Sequence, residues 1–135
     1  MTRKATRTPS APTPSALFSQ AIRKGPVLSL AGQAGLDPET RAIVSPELGE
    51  QTKRALLNMT AVLEASGSSW QDVVSMRVFL AHDADMAAMN NAYTEFFEGI
   101  FDKENGPPPP TRTTIYCGLP AGLHVELDGW AVVED

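Results

Sequence analysis

Two charged residues have the types and settings that small-molecule chemistry would use. Arg112 stands two residues after a run of four prolines, 107–110, and is followed by β-branched residues. A guanidinium is always ionised, and its planar fork matches a carboxylate through two parallel hydrogen bonds. A stiff polyproline lead-in would hold that fork in place. Arg112 therefore reads as a clamp for a small carboxylate, or else as a surface or interface ion pair. Glu126 lies between Val125 and Leu127 in an apolar stretch. An isolated charge is costly there, so Glu126 is either paired or functional. It could act as a general acid or base on a water, or as a structural partner of Arg112 or of a cation from another subunit. Asp128 shares its strand face and could do the same work or mark the edge of the site.

The other reactive side chains form no recognisable constellation. His124 and Glu126 are two apart and could touch one metal, but two histidines and one cysteine do not complete a site, and we expect no metal and no cofactor. Cys117 has no activating neighbour and reads as a buried structural thiol. Ser68 and Ser69 lack a nucleophile elbow. Gly32 and Gly35 form neither a dinucleotide nor a phosphate-loop fingerprint. They suit a tight loop that exposes backbone N–H groups.

These residues need elements to position them. Residues 17–22 and 26–31 read as two strands around Lys24-Gly25. Ser45-Pro46-Glu47 reads as a helix start, with Ser45 capping and Glu47 and Glu50 near the positive end of the dipole. Leu48, Ala55, Leu56, Met59, Val62 and Leu63 recur at helical spacing, and Gly67 is a stop. Residues 73–80 read as a buried strand. Asp83 or Asp85 caps a second helix with the stripe Met86, Met89, Tyr93, Phe96 and Phe97, which Gly106 and the prolines end. Residues 111–117 and 123–133 are strands. The order β-β-α-β-α-β-β predicts an α+β fold, a mixed sheet with two helices packed on one face. In the last strand, Leu123, Val125, Leu127 and Ala131 point to the helices. His124, Glu126, Asp128, Trp130 and Val132 point away. A Trp with two carboxylates on an open face suits burial against another subunit around a cleft.

The chain has 135 residues, 42% hydrophobic, with a net charge of −5. That length suits one domain, and an acidic chain is a poor nucleic-acid binder. No stretch is long and apolar enough to span a bilayer. The single cysteine excludes an internal disulfide framework and, with the lack of an apolar leader, points to a reducing, cytoplasmic setting. Residues 1–15 carry Arg3, Lys4 and Arg7, three prolines and no acid, and read as a flexible arm preceding a domain at 16–135.

Taken together, these segments resemble the Rid family, the reactive intermediate deaminases, also called YjgF and often labelled endoribonuclease L-PSP. The resemblance runs through Phe18-Ser19-Gln20-Ala21-Ile22, Ala31-Gly32-Gln33, Gln51-Thr52, Leu63-Glu64-Ala65-Ser66-Gly67, Asp72-Val73-Val74 and residues 90–97. It continues through Pro110-Thr111-Arg112-Thr113-Thr114, Leu119-Pro120 and Val125-Glu126-Leu127-Asp128. It implies a homotrimer of chorismate-mutase-like subunits with inter-subunit clefts. It also implies cofactor-free hydrolysis of enamines or imines to 2-ketoacids and ammonia. Arg112 would bind the substrate carboxylate and Glu126 would position the attacking water. Phe18, Ala31, Gly32, Asn90 and Thr114 would line the site. The chain departs from the family pattern at Phe18, usually Tyr, and at Ala31, usually Ser, and the segment between Arg112 and Leu119-Pro120 is one residue shorter than in many relatives. A trimeric carboxylate-binding module without turnover is the alternative reading. RNA cleavage ranks last, because the only basic cluster is the arm.

Overall fold

The computed structural model describes residues 2–134. Its elements are β1 (Lys4–Thr6), β2 (Ala21–Lys24), β3 (Val27–Ala34), α1 (Leu48–Ala65), a 3-10 turn at Trp70–Asp72, β4 (Val73–Ala81), α2 (Met86–Phe97), β5 (Thr111–Cys117) and β6 (Val125–Val132). One mixed sheet runs in the order β1-β2-β3-β6-β4-β5. β4 and β5 are parallel and the other pairs antiparallel. α1 and α2 pack on one face, as expected. No helix among the described residues is long and apolar enough to cross a membrane.

The apolar patterns form the core they predict. Ala55, Leu56, Met59, Val62 and Leu63 of α1 meet Leu28, Met76, Val78, Leu80, Val125 and Leu127 of the sheet, all buried. Phe97 of α2 is edge-on to Trp70 and Tyr93, with ring centroids 4.8 Å away in both cases. Trp70 satisfies its indole N–H on Thr60 Oγ1 at 2.8 Å, as a buried Trp must. Gly25 at φ 60° turns β2 into β3, as a tight hairpin requires.

The structure differs from the sequence reading in several places. Residues 1–15, read as a flexible arm, carry β1, which extends the sheet, and Ala11, which is fully buried. Composition misses this because the segment is held by polar bonds rather than apolar side chains. Buried Gln20 accepts the Thr8 N–H at 2.7 Å and donates to the carbonyls of Thr8 and Pro12, both at 3.0 Å. The first helix begins at Leu48, with Glu47 as its N-cap residue. Ser45 Oγ instead accepts the Glu47 N–H within the approach loop. The second helix is capped by Asp85, whose carboxylate accepts the Ala87 N–H, and it stops at Phe97, well before Gly106. Gly99 at φ 84° follows that stop. Cys117 is half-buried at the end of β5 rather than buried.

β6 lies between β3 and β4, and Gly129 sits where all three meet, opposite Leu30 and Met76. A Cβ there would run into the Ser75 carbonyl oxygen and lie 2.9 Å from Met76 Sδ. Gly129→Ala is therefore expected to cost about 2–3 kcal/mol, as overpacking of a tight core does. Urea denaturation would read this as a lower midpoint with an unchanged m-value.

Candidate functional site

Glu126 is placed by three local features. Burial alternates along β6, putting Val125 and Leu127 in the core and Glu126 and Asp128 on the open face. On the neighbouring strand the register slips by one residue between Leu30 and Gln33. This bulge, at Ala31-Gly32, lies beside Glu126, where bulges commonly re-aim groups next to sites. Finally, Glu126 lies across Gly32, where any Cβ would come within 2.8 Å of Glu126 Oε2. Gly32 thus leaves the Glu126 carboxylate room in its present position, which a larger residue would make it shift. The loop entering β6 is fixed from below by buried Gln51. Its amide accepts the His124 N–H and donates to the Gly122 carbonyl, both at 2.9 Å. The Gln51 backbone itself packs so closely on Gly35 that a Cβ there would fall 2.6 Å from Gln51 Cα.

The two acids of β6 have different partners. Asp128 takes a bidentate pair from Arg77, with Nε to Oδ1 at 2.8 Å and Nη2 to Oδ2 at 2.7 Å. The carboxylate raises the Arg77 pKa further. Glu126 has no hydrogen-bond or ion-pair partner among the described residues. Half-burial, and secondarily the charge of Asp128, raise its pKa above the usual carboxylate range. Of the two, Glu126 is the acid left available for chemistry. It lines a cleft of about 260 Å³ with Phe18, Ala31, Gly32, Arg41 and Leu123.

Arg112 lies elsewhere. Its register partner is Met76, which faces the helices, whereas Glu126 pairs with Phe79 on the open side. Residues opposite each other in a sheet share a face, so Arg112 and Glu126 point to opposite faces. Strand geometry also puts their Cα atoms roughly 14 Å apart. At the sheet edge Arg112 Nη2 donates to Asn90 Oδ1 at 2.7 Å, and its guanidinium lies 4.9 Å from the centre of the Tyr93 ring. Burial pushes the Tyr93 phenol up to about 12, and its buried hydroxyl has no partner. Thr114 shares the Arg112 face, opposite Val78.

The residues expected at one site thus fall into two groups. Phe18, Ala31, Gly32 and Glu126 line one cleft, while Arg112, Asn90 and Thr114 lie on the other face. Among the described residues no group of three His, Cys, Asp or Glu side chains could hold a metal, and His124 and Glu126 gain no third ligand. Sequence reasoning missed Arg77, since only the register reveals that it faces Asp128. It also missed Arg41, which reads as one residue of a polar loop.

The chain matches the family model described as Endoribonuclease L-PSP over residues 8–133. It is 37% identical over 135 residues to a RutC family protein of Pyrococcus abyssi, covering 99% of this chain and 100% of that protein. It is 34% identical over 128 residues to a 2-iminobutanoate/2-iminopropanoate deaminase of Dermatophagoides farinae, covering 94% of each. Among solved structures, TdcF of E. coli with bound serine superposes with a TM-score of 0.85 at 28% identity, covering 97% of this chain and 99% of that one.

The unequal pairing of the two acids makes a direct prediction. Asp128 contributes to the raised pKa of Glu126. Asp128→Asn removes that charge and frees Arg77, and both changes favour ionised Glu126. The Glu126 carboxyl is expected to titrate at lower pH in Asp128→Asn than in the wild type, as followed by carbon NMR of labelled Glu. An unchanged or higher pKa would show that the two acids do not communicate.

Proposed function

The chain belongs to the Rid/YjgF family, the endoribonuclease L-PSP family, and on that premise we propose that it hydrolyses small 2-imino acids to 2-ketoacids and ammonia, without a cofactor, in clefts between the subunits of a homotrimer. The observation that carries this reading is a pair of unsatisfied opposites. Among the described residues Glu126 is a half-buried acid with no cation on it and Arg112 a guanidinium with no acid on it, and the two face opposite ways in one chain. A second subunit can bring them together.

The open sheet face supports the assembly. Val27, Ile115, Trp130 and Val132 are exposed there, Trp130 by 43%, and an apolar face of this kind favours burial against a copy of itself. The chorismate-mutase-like trimer implied by the resemblance would cover it. Relatives from Dermatophagoides farinae and Mus musculus, each a 2-iminobutanoate/2-iminopropanoate deaminase, support the imine substrate. The serine in TdcF supports a ligand with a small carboxylate.

In this reading Arg112 holds the substrate carboxylate through two parallel hydrogen bonds. Asn90 and the Tyr93 ring fix the guanidinium, and Thr114 lines the same wall. An enamine first tautomerises to its imine. Glu126 then accepts a proton from water as the water oxygen bonds to the imine carbon, and passes it to the nitrogen that receives the C=N electron pair. In the resulting carbinolamine the hydroxyl proton moves through Glu126 to the amine as the C–N bond breaks, the C=O bond forms and ammonia leaves. A carboxyl whose pKa is raised by burial, and secondarily by Asp128, holds its proton more tightly than usual, which suits the return of that proton in the second half of the cycle. Phe18 and Ala31 make the wall near Glu126 apolar, which favours substrates without a hydroxyl to satisfy there.

Release of ammonia above background from enzymatically generated 2-aminoacrylate is expected for the wild type, and Arg112→Ala or Glu126→Ala is expected to abolish it. Acceleration that survives both substitutions would exclude these roles. Wild-type inactivity with Arg112-dependent carboxylate binding would favour the non-catalytic alternative. A sharper test mixes subunits. Arg112→Ala and Glu126→Gln chains, each inactive alone, are expected on co-refolding to regain about one quarter of wild-type activity, since random assembly leaves about that share of two-subunit sites intact. No recovery in verified mixed trimers would mean that each site draws both residues from one chain.

Glu126→Gln should also stabilise the fold at neutral pH. A carboxyl whose folded pKa is raised binds its proton more tightly in the native state. Native stability is therefore favoured below the unfolded pKa and declines as pH rises through the folded value. The Gln variant is expected to lose that decline, so its Tm at pH 7 equals or exceeds that of the wild type.

A further inference from the structure

We propose that Arg41 makes the Glu126 cleft selective for imino acids that carry a second carboxylate, with its guanidinium holding the distal anion while the reacting carbon sits at Glu126. This rests on the deaminase reading for the reaction, but not for the binding.

Arg41 lies in the turn between β3 and α1. Asp37 builds that turn: its Oδ1 accepts the N–H groups of Glu39 and Thr40, both at 2.9 Å, and its carbonyl accepts the Arg41 N–H at 2.8 Å. The Asp37 N–H donates to the Ala42 carbonyl at 2.9 Å. This closure holds Arg41 at φ 64°, making it the one non-glycine with positive φ among the described residues. Glycine would adopt that conformation without a Cβ penalty, and among the described residues no hydrogen bond or ion pair ties the Arg41 side chain to the turn. An arginine in this position is strained without local benefit, and such strain concentrates at functional positions.

The side chain has a place to act. Arg41 lines the same cleft as Glu126, where it is the one cation and Glu126 the one acid. It is not there to neutralise Glu126, because no ion pair joins them and the Glu126 carboxyl is raised by burial and by Asp128. Nor does it pair with Asp37, whose lowered pKa comes from the backbone N–H groups and, as the nearby cation, from Arg54. An unpaired guanidinium beside apolar walls is suited to a carboxylate. The cleft, about 260 Å³, is smaller than a drug-sized pocket and suits a small dicarboxylate rather than a nucleotide or peptide. With Arg112 of another subunit on the first carboxylate, the substrate would be held at both ends.

The test compares 2-iminoglutarate with 2-iminobutanoate, generated in place from glutamate and from 2-aminobutanoate by amino-acid oxidases with catalase present. The preference is read as the ratio of the two KM values. Arg41→Gly is expected to shift that ratio about tenfold against the dicarboxylate, as loss of one charge-assisted contact does, with no loss in Tm. Arg41→Lys is expected to restore part of it. An unchanged ratio in Arg41→Gly overturns the proposal. Calorimetric binding of glutarate and butyrate separates this inference from the deaminase reading. Tighter binding of glutarate that Arg41→Gly removes supports the site even if neither imine is turned over. Glutarate binding no tighter than butyrate binding overturns it even if both imines are hydrolysed.

Discussion

The placement of β6 between β3 and β4 constrains everything else in this molecule. A strand with neighbours on both sides has no freedom to slide, because a shift of one residue would exchange its faces. Val125, Leu127 and Ala131 are all fully buried under the helices, so Glu126 and Asp128 must occupy the opposite face. Gly129 closes the arrangement from the core side, where only a hydrogen fits between Ser75 and Met76. The hydrophobic core and the position of the acid are thus one constraint. What buries the leucines also presents the carboxylate, and the bulge at Ala31-Gly32 opens just enough room for it.

Two carboxylates two residues apart on one face repel each other, and the fold treats them unequally. Arg77 reaches across from β4 and satisfies both oxygens of Asp128. Glu126 is left without a cation, half-buried, with its proton held more tightly than usual. A merely structural acid would be expected to share in the pairing. An acid that exchanges a proton with water or substrate would not. The bidentate pair occupies both oxygens of Asp128, while its residual field still favours protonation of Glu126.

Glu126 drew attention in the sequence because it interrupts an apolar alternation, whereas Arg112 after its polyproline run gained its candidate role from the family resemblance. The helices and the core face were legible because their spacing reports burial directly. What stayed hidden depends on contacts between segments far apart in the chain. That Arg77 opposes Asp128 follows from strand register, with 51 residues between them. That residues 4–6 form a strand follows from their pairing with β2, while buried Gln20 ties down residues 8–12 behind them, and neither shows in the segment's own composition. The opposition of Arg112 and Glu126 is likewise invisible until β5 is known to run parallel to β4 and β6 antiparallel to it. Helix ends shifted for local reasons, as at Glu47, which takes the cap position in place of Ser45.

Three departures from ideal packing lie near one another. An ionisable acid without a partner, an arginine in a backbone conformation costing roughly 1 kcal/mol, and an exposed tryptophan all belong to the open face of the sheet or to the cleft at its margin. On the helix side Gln51 and Trp70 bury polar groups with hydrogen bonds made, and the aliphatic side chains fill the space between. That side has costs of its own, since Arg54 Nε, Asn58 Oδ1 and the Tyr93 hydroxyl are buried without partners among the described residues. Costs that gather around one cleft mark a fold shaped by something besides its own stability. The costs on the open side are of the kind a partner surface and a ligand relieve. Burial of the tryptophan by a second subunit, an arginine brought to Glu126 from that subunit, and an anion on Arg41 would each offset one of them.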